Sequence, residues 1–369
     1  MKIFYLSTTS FSCVDVNVLH HLSDKYDITY GVIIPSKNAN FSKEELDDYC
    51  SVNNIKKSFF HLKHRYRDPR TILVYKKIVN NILKNRPDII FVNNFDQIYF
   101  NILLLFLNKE KTIIAMHDVA SHSGTSFNAL ATLSRTILYK KFKQFLTFSP
   151  FQASLLEKIK PDGNVHMIPL ALEDFGEIPV SNKAPGVVNF LFFGNIKPYK
   201  GLDLLLKSIS RIYKKNPSFK LTIAGRCDDW EEVYKPLIEC KHLVDAHIRF
   251  IDNSEIPSFF GNTDYLILPY KDATQSGPLM IAYNYNIPSI ASNIAGFREF
   301  IHDEKTGYLF DPILDESIDN VLLKVIANHE KKHSAMCSNV SIFKQENLAI
   351  EGTISAYDNL FKHVLETQL

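Results

Sequence analysis

Three stretches put residues able to hold or move charge directly after short apolar runs. In VNFLFFGNIKPYKGLDLLL, Val188–Leu206, the apolar run ends at Gly194 and a helical pattern begins near Gly201. Gly194 lets a ligand approach the backbone, with Asn195 beside it as an uncharged donor. Lys200 stands just before the helix, where free amides and the helix dipole favour anions, and its compact charge suits a diphosphate. A plain strand–loop–helix with a surface lysine has the same pattern. In LILPYKDATQSGPLMIAYNYNIPSIAS, Leu266–Ser292, Pro278 fits a first helical position and Ser276 its cap. The amides of Ser276, Gly277 and Leu279 would then face a phosphate, with Gln275 alongside; a capped helix in a packed domain reads the same way. In TIIAMHDVASHSG, Thr112–Gly124, His117 and Asp118 emerge after a strand and His122 follows. Such a histidine can contact substrate or act as acid or base. A structural His–Asp pair fits too, as does a 2-His-1-carboxylate metal set.

The elements that must position these residues alternate along the chain. Strand candidates in the first half are Lys2–Leu6, Ile28–Ile34, Ile89–Val92, Thr112–Met116, Phe145–Phe148 and Val165–Ile168, with helices such as Thr71–Lys84 and Leu130–Lys143 between them. The pattern restarts with a strand at Val187–Phe193, a helix at Leu202–Tyr213, and strands at Lys220–Ala224, His247–Ile251, Tyr265–Leu268 and Ser289–Ala291. EIPVSNKAPG, residues 177–186, reads as a linker. The expected organisation is α/β: a first domain over 1–176, a second over 187–347, and a terminal amphipathic helix within 348–369. Two doubly wound sheets hold ligands outside the carboxyl ends of their strands.

The 369 residues are 46% hydrophobic and 22% charged, ample for two cores, and the net charge of +2 calls for no polyanionic partner. The charge is uneven: Lys and Arg outnumber Asp and Glu 22 to 14 over residues 1–170 and trail 20 to 26 thereafter. Residues 56–86 hold ten basic side chains against Asp68 alone, interleaved with Tyr66, Ile72 and Leu73. This stretch fits an anionic membrane surface or a solvated helix face; without an RNA- or DNA-binding module, nucleic acid is not expected. Five scattered cysteines give no disulfide framework or C-x-x-C zinc pattern and fit a reducing cytosol. The start of the sequence does not resemble a signal peptide, and YFNILLLFL, Tyr99–Leu107, reads as a buried helix rather than a membrane span. A cytoplasmic location is expected, with peripheral attachment to the inner face of the membrane as an option.

Several of these strings resemble retaining GT-B glycosyltransferases of family 4. FGNIKPYKGLD is similar to the donor-phosphate loop of that family, whose lysine contacts the diphosphate, which carries over to Lys200; Asn195 stands where an arginine is common. NIPSIAS resembles the strand after the donor helix. Two glutamates usual in this loop fall at Ala273 and Ile281, and ATQSG followed by AY resembles a polysaccharide-type subgroup without that pair. HDVASHSG resembles the same subgroup, in which the histidine lies beside the transferred sugar. AGFRE and the GYLF after it resemble the late donor-domain signature, making Glu299 a candidate donor contact. The resemblance implies two Rossmann-like domains facing across a cleft and a terminal helix on the first. It also implies a UDP- or GDP-sugar donor, a saccharide or lipid-linked acceptor, and retention of configuration. His117 and Lys200 are then the catalytic candidates. Gly194, Asn195, Gln275, Ser276, Gly277, Leu279 and Glu299 bind donor, and Asp118 and His122 lie on the acceptor side. No metal or separate cofactor is expected, because no D-x-D motif stands at a strand end. A catalytically silent GT-B partner protein and a nucleotide-sugar epimerase are the alternatives.

Overall fold

The computed structural model describes residues 1–37, 39–119, 128–181 and 183–367. The chain forms two compact units: one holds the described residues up to Ala171 together with those from Ala349 onward, the other is Leu172–Leu348.

In the first unit the order is β1 (Lys2–Thr8), α1 (Ser12–Ser23), β2 (Asp27–Pro35), α2 (Lys43–Val52), β3 (Lys56–Leu62), α3 (Ile72–Asn85), β4 (Ile89–Asn93), α4 (Ile98–Leu104), β5 (Thr112–Met116), α5 (Asn128–Lys141), β6 (Gln144–Thr147), α6 (Pro150–Ile159) and β7 (Asn164–Met167). The seven strands pair in parallel as β3-β2-β1-β4-β5-β6-β7. The central strands β4 and β5 are buried along their whole length, as a parallel sheet covered on both faces requires. The chain winds outward from β1 to β3 and then crosses back to β4, so the switch point lies between β1 and β4. The apolar run Tyr99–Leu107 folds into and just beyond α4, with Phe100, Leu104 and Leu107 buried. No helix among the described residues is long and apolar enough to cross a membrane.

The second unit runs β8 (Val188–Phe193), α7 (Leu202–Ile212), β9 (Phe219–Ala224), β10 (Val244–His247), α8 (Ile256–Gly261), β11 (Tyr265–Leu268), α9 (Gly277–Asn284), β12 (Ser289–Ser292), α10 (Ala295–Arg298), β13 (Gly307–Phe310) and α11 (Asp315–Asn347). Its six parallel strands are ordered β10-β9-β8-β11-β12-β13, with the switch point between β8 and β11. The described residues of 177–186 form no helix or strand and belong to this unit, where Lys183 Nζ donates to Asp264 Oδ1 at 2.9 Å and to the Thr263 carbonyl at 2.8 Å. The last helix, α12 (Ile350–Glu366), packs in the first unit: Phe361 stands edge-on to Tyr26 and Phe91 at 5.7 and 6.4 Å.

Two sequence expectations change. The strand expected at His247–Ile251 is Val244–His247 instead, set by pairing with Leu221–Ala224 of β9. The basic stretch 56–86 is not one helix face. Its first part is the edge strand β3, where Lys56 pairs with Asp27 at 2.6 Å and Lys57 with Asp47 at 2.7 Å. The acids that meet these lysines are distant in sequence, so a count restricted to the segment could not see them.

Phe361 is fully buried. Phe361→Ala is expected to cost the first unit about 3–5 kcal/mol, read as a lower urea midpoint for that unit while the second keeps its own.

Candidate functional site

The switch point of the second sheet lies outside the ends of β8 and β11, and both strongly patterned loops end there. After β8 the backbone turns at Gly194, whose φ is +101°. A Cβ at that position would lie 3.2 Å from Lys200 Nζ and 3.5 Å from Pro278 Cγ, so the lysine head and the start of α9 converge on this glycine. Lys200 closes a single 3-10 turn, Pro198–Lys200, and Gly201 then adopts φ +66° to enter α7. A side chain at Gly201 would strike the Pro269 carbonyl oxygen at 1.8 Å, so only glycine lets the β8 and β11 loops touch there.

Lys200 is 8% exposed, and its ammonium lies 5.3 Å from the Tyr270 ring centroid. No carboxylate among the described residues pairs with it. Burial pushes its pKa below the usual lysine value, only partly countered by Tyr199. A buried cation without a counter-ion is costly unless an anion joins it.

Ser276 caps α9. Its Oγ accepts from the Leu279 N–H at 3.4 Å, and its carbonyl accepts from the same N–H at 3.1 Å. This corrects one sequence expectation: the Leu279 amide is spent on the cap and is not available to a phosphate. The N–H groups of Ser276 and Gly277 make no hydrogen bond among the described residues and remain to serve that role. Gln275 is half-buried in the same loop, whereas Asn195 is exposed. Glu299 stands at the end of α10, and α10 rests on the loop before α9: a Cβ at Gly296 would lie 2.4 Å from the Ala273 carbonyl. Glu173, which sequence reasoning missed, is buried, and its Oε1 would lie 2.8 Å from a Cβ at Gly277. The start of α9 thus has an ammonium near one residue and a carboxylate near the next. Nothing in the local string ALED marks Glu173 for this place.

In the first unit a cavity of about 270 Å³ opens at the β1/β4 switch point, lined by Thr8, Ser10, Phe11, Asn94, Asp96 and His117 among others, with Asp118 on its wall. His117 is stacked between Phe11 and Phe148, at centroid distances of 3.8 and 4.4 Å. Its Nε2 meets Asn93 Oδ1 at 3.3 Å. Asn93 Nδ2 in turn donates to Asp15 Oδ1 at 3.0 Å, and that carboxylate also accepts from the hydroxyls of Tyr5 and Tyr30 at 2.8 and 2.9 Å. Because a carboxylate only accepts, Asn93 must offer it the amide nitrogen and turn its oxygen to His117, which fixes Nε2 as the protonated ring nitrogen. Asp15 sits in α1 within the apolar string VDVNVL, a charge inside a core-facing pattern, and that was the signal available in the sequence. Asp96 is neutralised by Arg135, whose guanidinium reaches its oxygens at 2.5 to 3.0 Å. His122 lies outside the described residues, so the three-residue metal set with His117 and Asp118 has no structural counterpart among them.

Residues 176–339 match the family model described as glycosyl transferases group 1. An uncharacterized glycosyltransferase of Haemophilus influenzae is 22% identical over 94% of each chain. An uncharacterized 41.2 kDa protein in the cps region of Klebsiella pneumoniae is 29% identical over 33% of this chain, and the alignment spans about a third, 32%, of that protein. Among solved structures, sucrose-phosphate synthase of Thermosynechococcus elongatus superposes with a TM-score of 0.76 at 14% identity, over 99% of both chains. Anabaena HepE in complex with UDP and glucose does so with a TM-score of 0.73 at 14% identity, over 98% of this chain and 100% of its own. The fold is GT-B. The family match and the Haemophilus relative support a glycosyltransferase.

Burial raises the Asp15 carboxyl from 3.8 to about 6, against the pull of its hydrogen-bond donors. The folded state therefore binds this proton more tightly than the unfolded chain. The contribution is full below about pH 4 and is lost as pH rises to about 6, a loss of about 3 kcal/mol. Denaturation midpoints followed from pH 4 to 7 should show this fall in the wild type and its absence in Asp15→Asn.

Proposed function

We propose that this chain transfers a sugar from a nucleotide-sugar donor, of the UDP or GDP type, to a saccharide or lipid-linked acceptor. The observation that carries the reading is the buried, unpaired ammonium of Lys200 next to the unbonded amides that open α9. In the reaction the bond between the anomeric carbon and the diphosphate oxygen breaks, a bond from an acceptor hydroxyl oxygen forms, and the hydroxyl proton leaves with the phosphate or solvent. Negative charge grows on the departing diphosphate, where a fixed cation and fixed amides are most effective. The acceptor belongs, on this reading, to the first-unit cavity, with His117 and Asp118 bonding sugar hydroxyls. Gln275 and Glu299 are assigned to the donor sugar, with Asn195 at the loop mouth. The proposal needs no metal or separate cofactor.

The UDP and UDP-glucose complexes of HepE support a nucleotide-sugar donor. The cps-region relative supports a role in cell-surface polysaccharide or glycolipid synthesis, and the family resemblance supports retention. Exposed Ile72 and Leu73 at the start of α3, beside Arg70, Lys76 and Lys77, support attachment to an anionic membrane surface. A cytoplasmic protein bound to the inner face of the membrane fits this set.

Lys200→Met separates binding from structure. Calorimetric titration with UDP and GDP should show affinity falling by about 10–100-fold, the equivalent of about 1.5–3 kcal/mol for a charged hydrogen bond. Without nucleotide the same variant should melt no lower than the wild type, because an unpaired buried charge has been removed. Undiminished nucleotide affinity in Lys200→Met would refute the assignment. His117→Gln should lower turnover by about 10–100-fold, as expected for a lost substrate hydrogen bond, and leave diphosphate affinity as it was; unchanged turnover would remove His117 from the site.

A further inference from the structure

Among the described residues, one group of side chains has the composition and spacing of a metal site, and it lies away from the loops discussed so far. A carboxylate oxygen of Asp264 and one ring nitrogen each of His329 and His333 lie within 4.8 Å of one another. The histidines are four residues apart on α11, with ring centroids separated by 4.7 Å. Four residues further on, the same helix face presents Cys337, whose Sγ is 3.5 Å from His333 Nε2 and 3.9 Å from Nδ1. His333 Nε2 is 3.0 Å from the Asp264 carbonyl oxygen. An imidazole facing a carbonyl donates from that nitrogen, so Nδ1 keeps its lone pair; ring N–H to backbone carbonyl is the usual support for a metal-bound histidine. His329 Nδ1 is enclosed and has no hydrogen-bond partner among the described residues.

We propose that Asp264, His329, His333 and Cys337 bind one divalent transition-metal ion, with zinc the best match to two imidazoles, a carboxylate and a thiolate. Zinc holds nitrogen and oxygen at about 2.0–2.2 Å and sulfur at about 2.3 Å, which puts tetrahedral ligand atoms roughly 3.3–3.8 Å apart. Asp264 and the two histidines already meet within 4.8 Å, and Cys337 Sγ, which stands outside that group beside His333, has to turn inward to join them. Binding the ion as thiolate releases the Cys337 proton to solvent. Asp264 already accepts from Asn189 through Oδ2 and from Lys183 through Oδ1. Oδ1 carries a single bond, so Lys183 competes with the ion for it.

The four protein ligands leave no open position, and the site stands at the amino end of β11. The four residues of β11, Tyr265–Leu268, separate it from the loop that leads to α9, a rise of about 13 Å at roughly 3.3 Å per residue. Its role is therefore to tie α11 to the sheet, independent of sugar transfer.

The test uses the full chain, stripped with chelator and titrated with cobalt(II) or zinc chloride alone. The wild type should take up one ion with tetrahedral cobalt bands and a thiolate-to-cobalt charge-transfer band, and zinc should raise its melting temperature. Cys337→Ser should lose the charge-transfer band. His329→Ala with His333→Ala should weaken binding by more than the roughly 10–100-fold typical of a second-shell change. Lys183→Met should bind more tightly. His329→Gln, at a half-exposed ring, serves where the double variant does not fold. Absence of a saturable ion in the wild type, or binding by the histidine variants equal to it, overturns the proposal.

Discussion

An ammonium group that is buried and meets no carboxylate among the described residues organises the second unit. Lys200 lies against Gly194 and near Pro278, over the Tyr270 ring. Taking such a charge out of water costs several kcal/mol unless it is compensated. The fold accepts that cost because the surrounding backbone is committed to the arrangement. Gly194 and Gly201 take positive φ, the β8 and β11 loops touch where no Cβ could stand, and α9 starts with two amides unspent.

The first unit solves a related problem with the opposite charge. Asp15 is a buried carboxylate that pairs with no cation among the described residues and is held by two tyrosine hydroxyls and an asparagine amide. Its cost is only partly offset by neutral donors, and the consequence passes outward: the orientation of Asn93 follows from Asp15, and the proton on His117 Nε2 follows from Asn93. The two stacked rings, Phe11 and Phe148, fix the plane of the imidazole. The ring of a histidine at the mouth of the β1/β4 switch point is thereby held in one orientation, in part by Asp15 and Asn93, which do not line the cavity.

Both sheets place their polar groups at the reversal of strand order, where two neighbouring strands send their loops in opposite directions and leave a crevice. The Asp264–His329–His333–Cys337 group breaks this rule. It sits at the amino end of β11, under the longest helix, where a parallel sheet has no crevice to offer. Its residues instead share one face of α11 at a spacing of four, and the partner carboxylate comes from the residue just before the strand.

The alternation of β-rich runs and helical patterns was enough to determine two doubly wound α/β units, and most core strands lie where the apolar runs put them. Local chemistry also marked Gly194, Lys200, Ser276 and Pro278, because a glycine, a cation, a cap and a first-turn proline each signal through their immediate neighbours. Tertiary structure alone decided what meets what. It turned part of a basic stretch into an edge strand paired with Asp27 and Asp47, consumed the Leu279 amide in the cap, and brought Glu173 to Gly277. It also joined Asp15 to His117 through Asn93, and Asp264 to a helix some 65 residues further along. Such contacts depend on strand order and register, which apolar periodicity does not encode, since the same alternation of strands and helices is compatible with many pairings of loops.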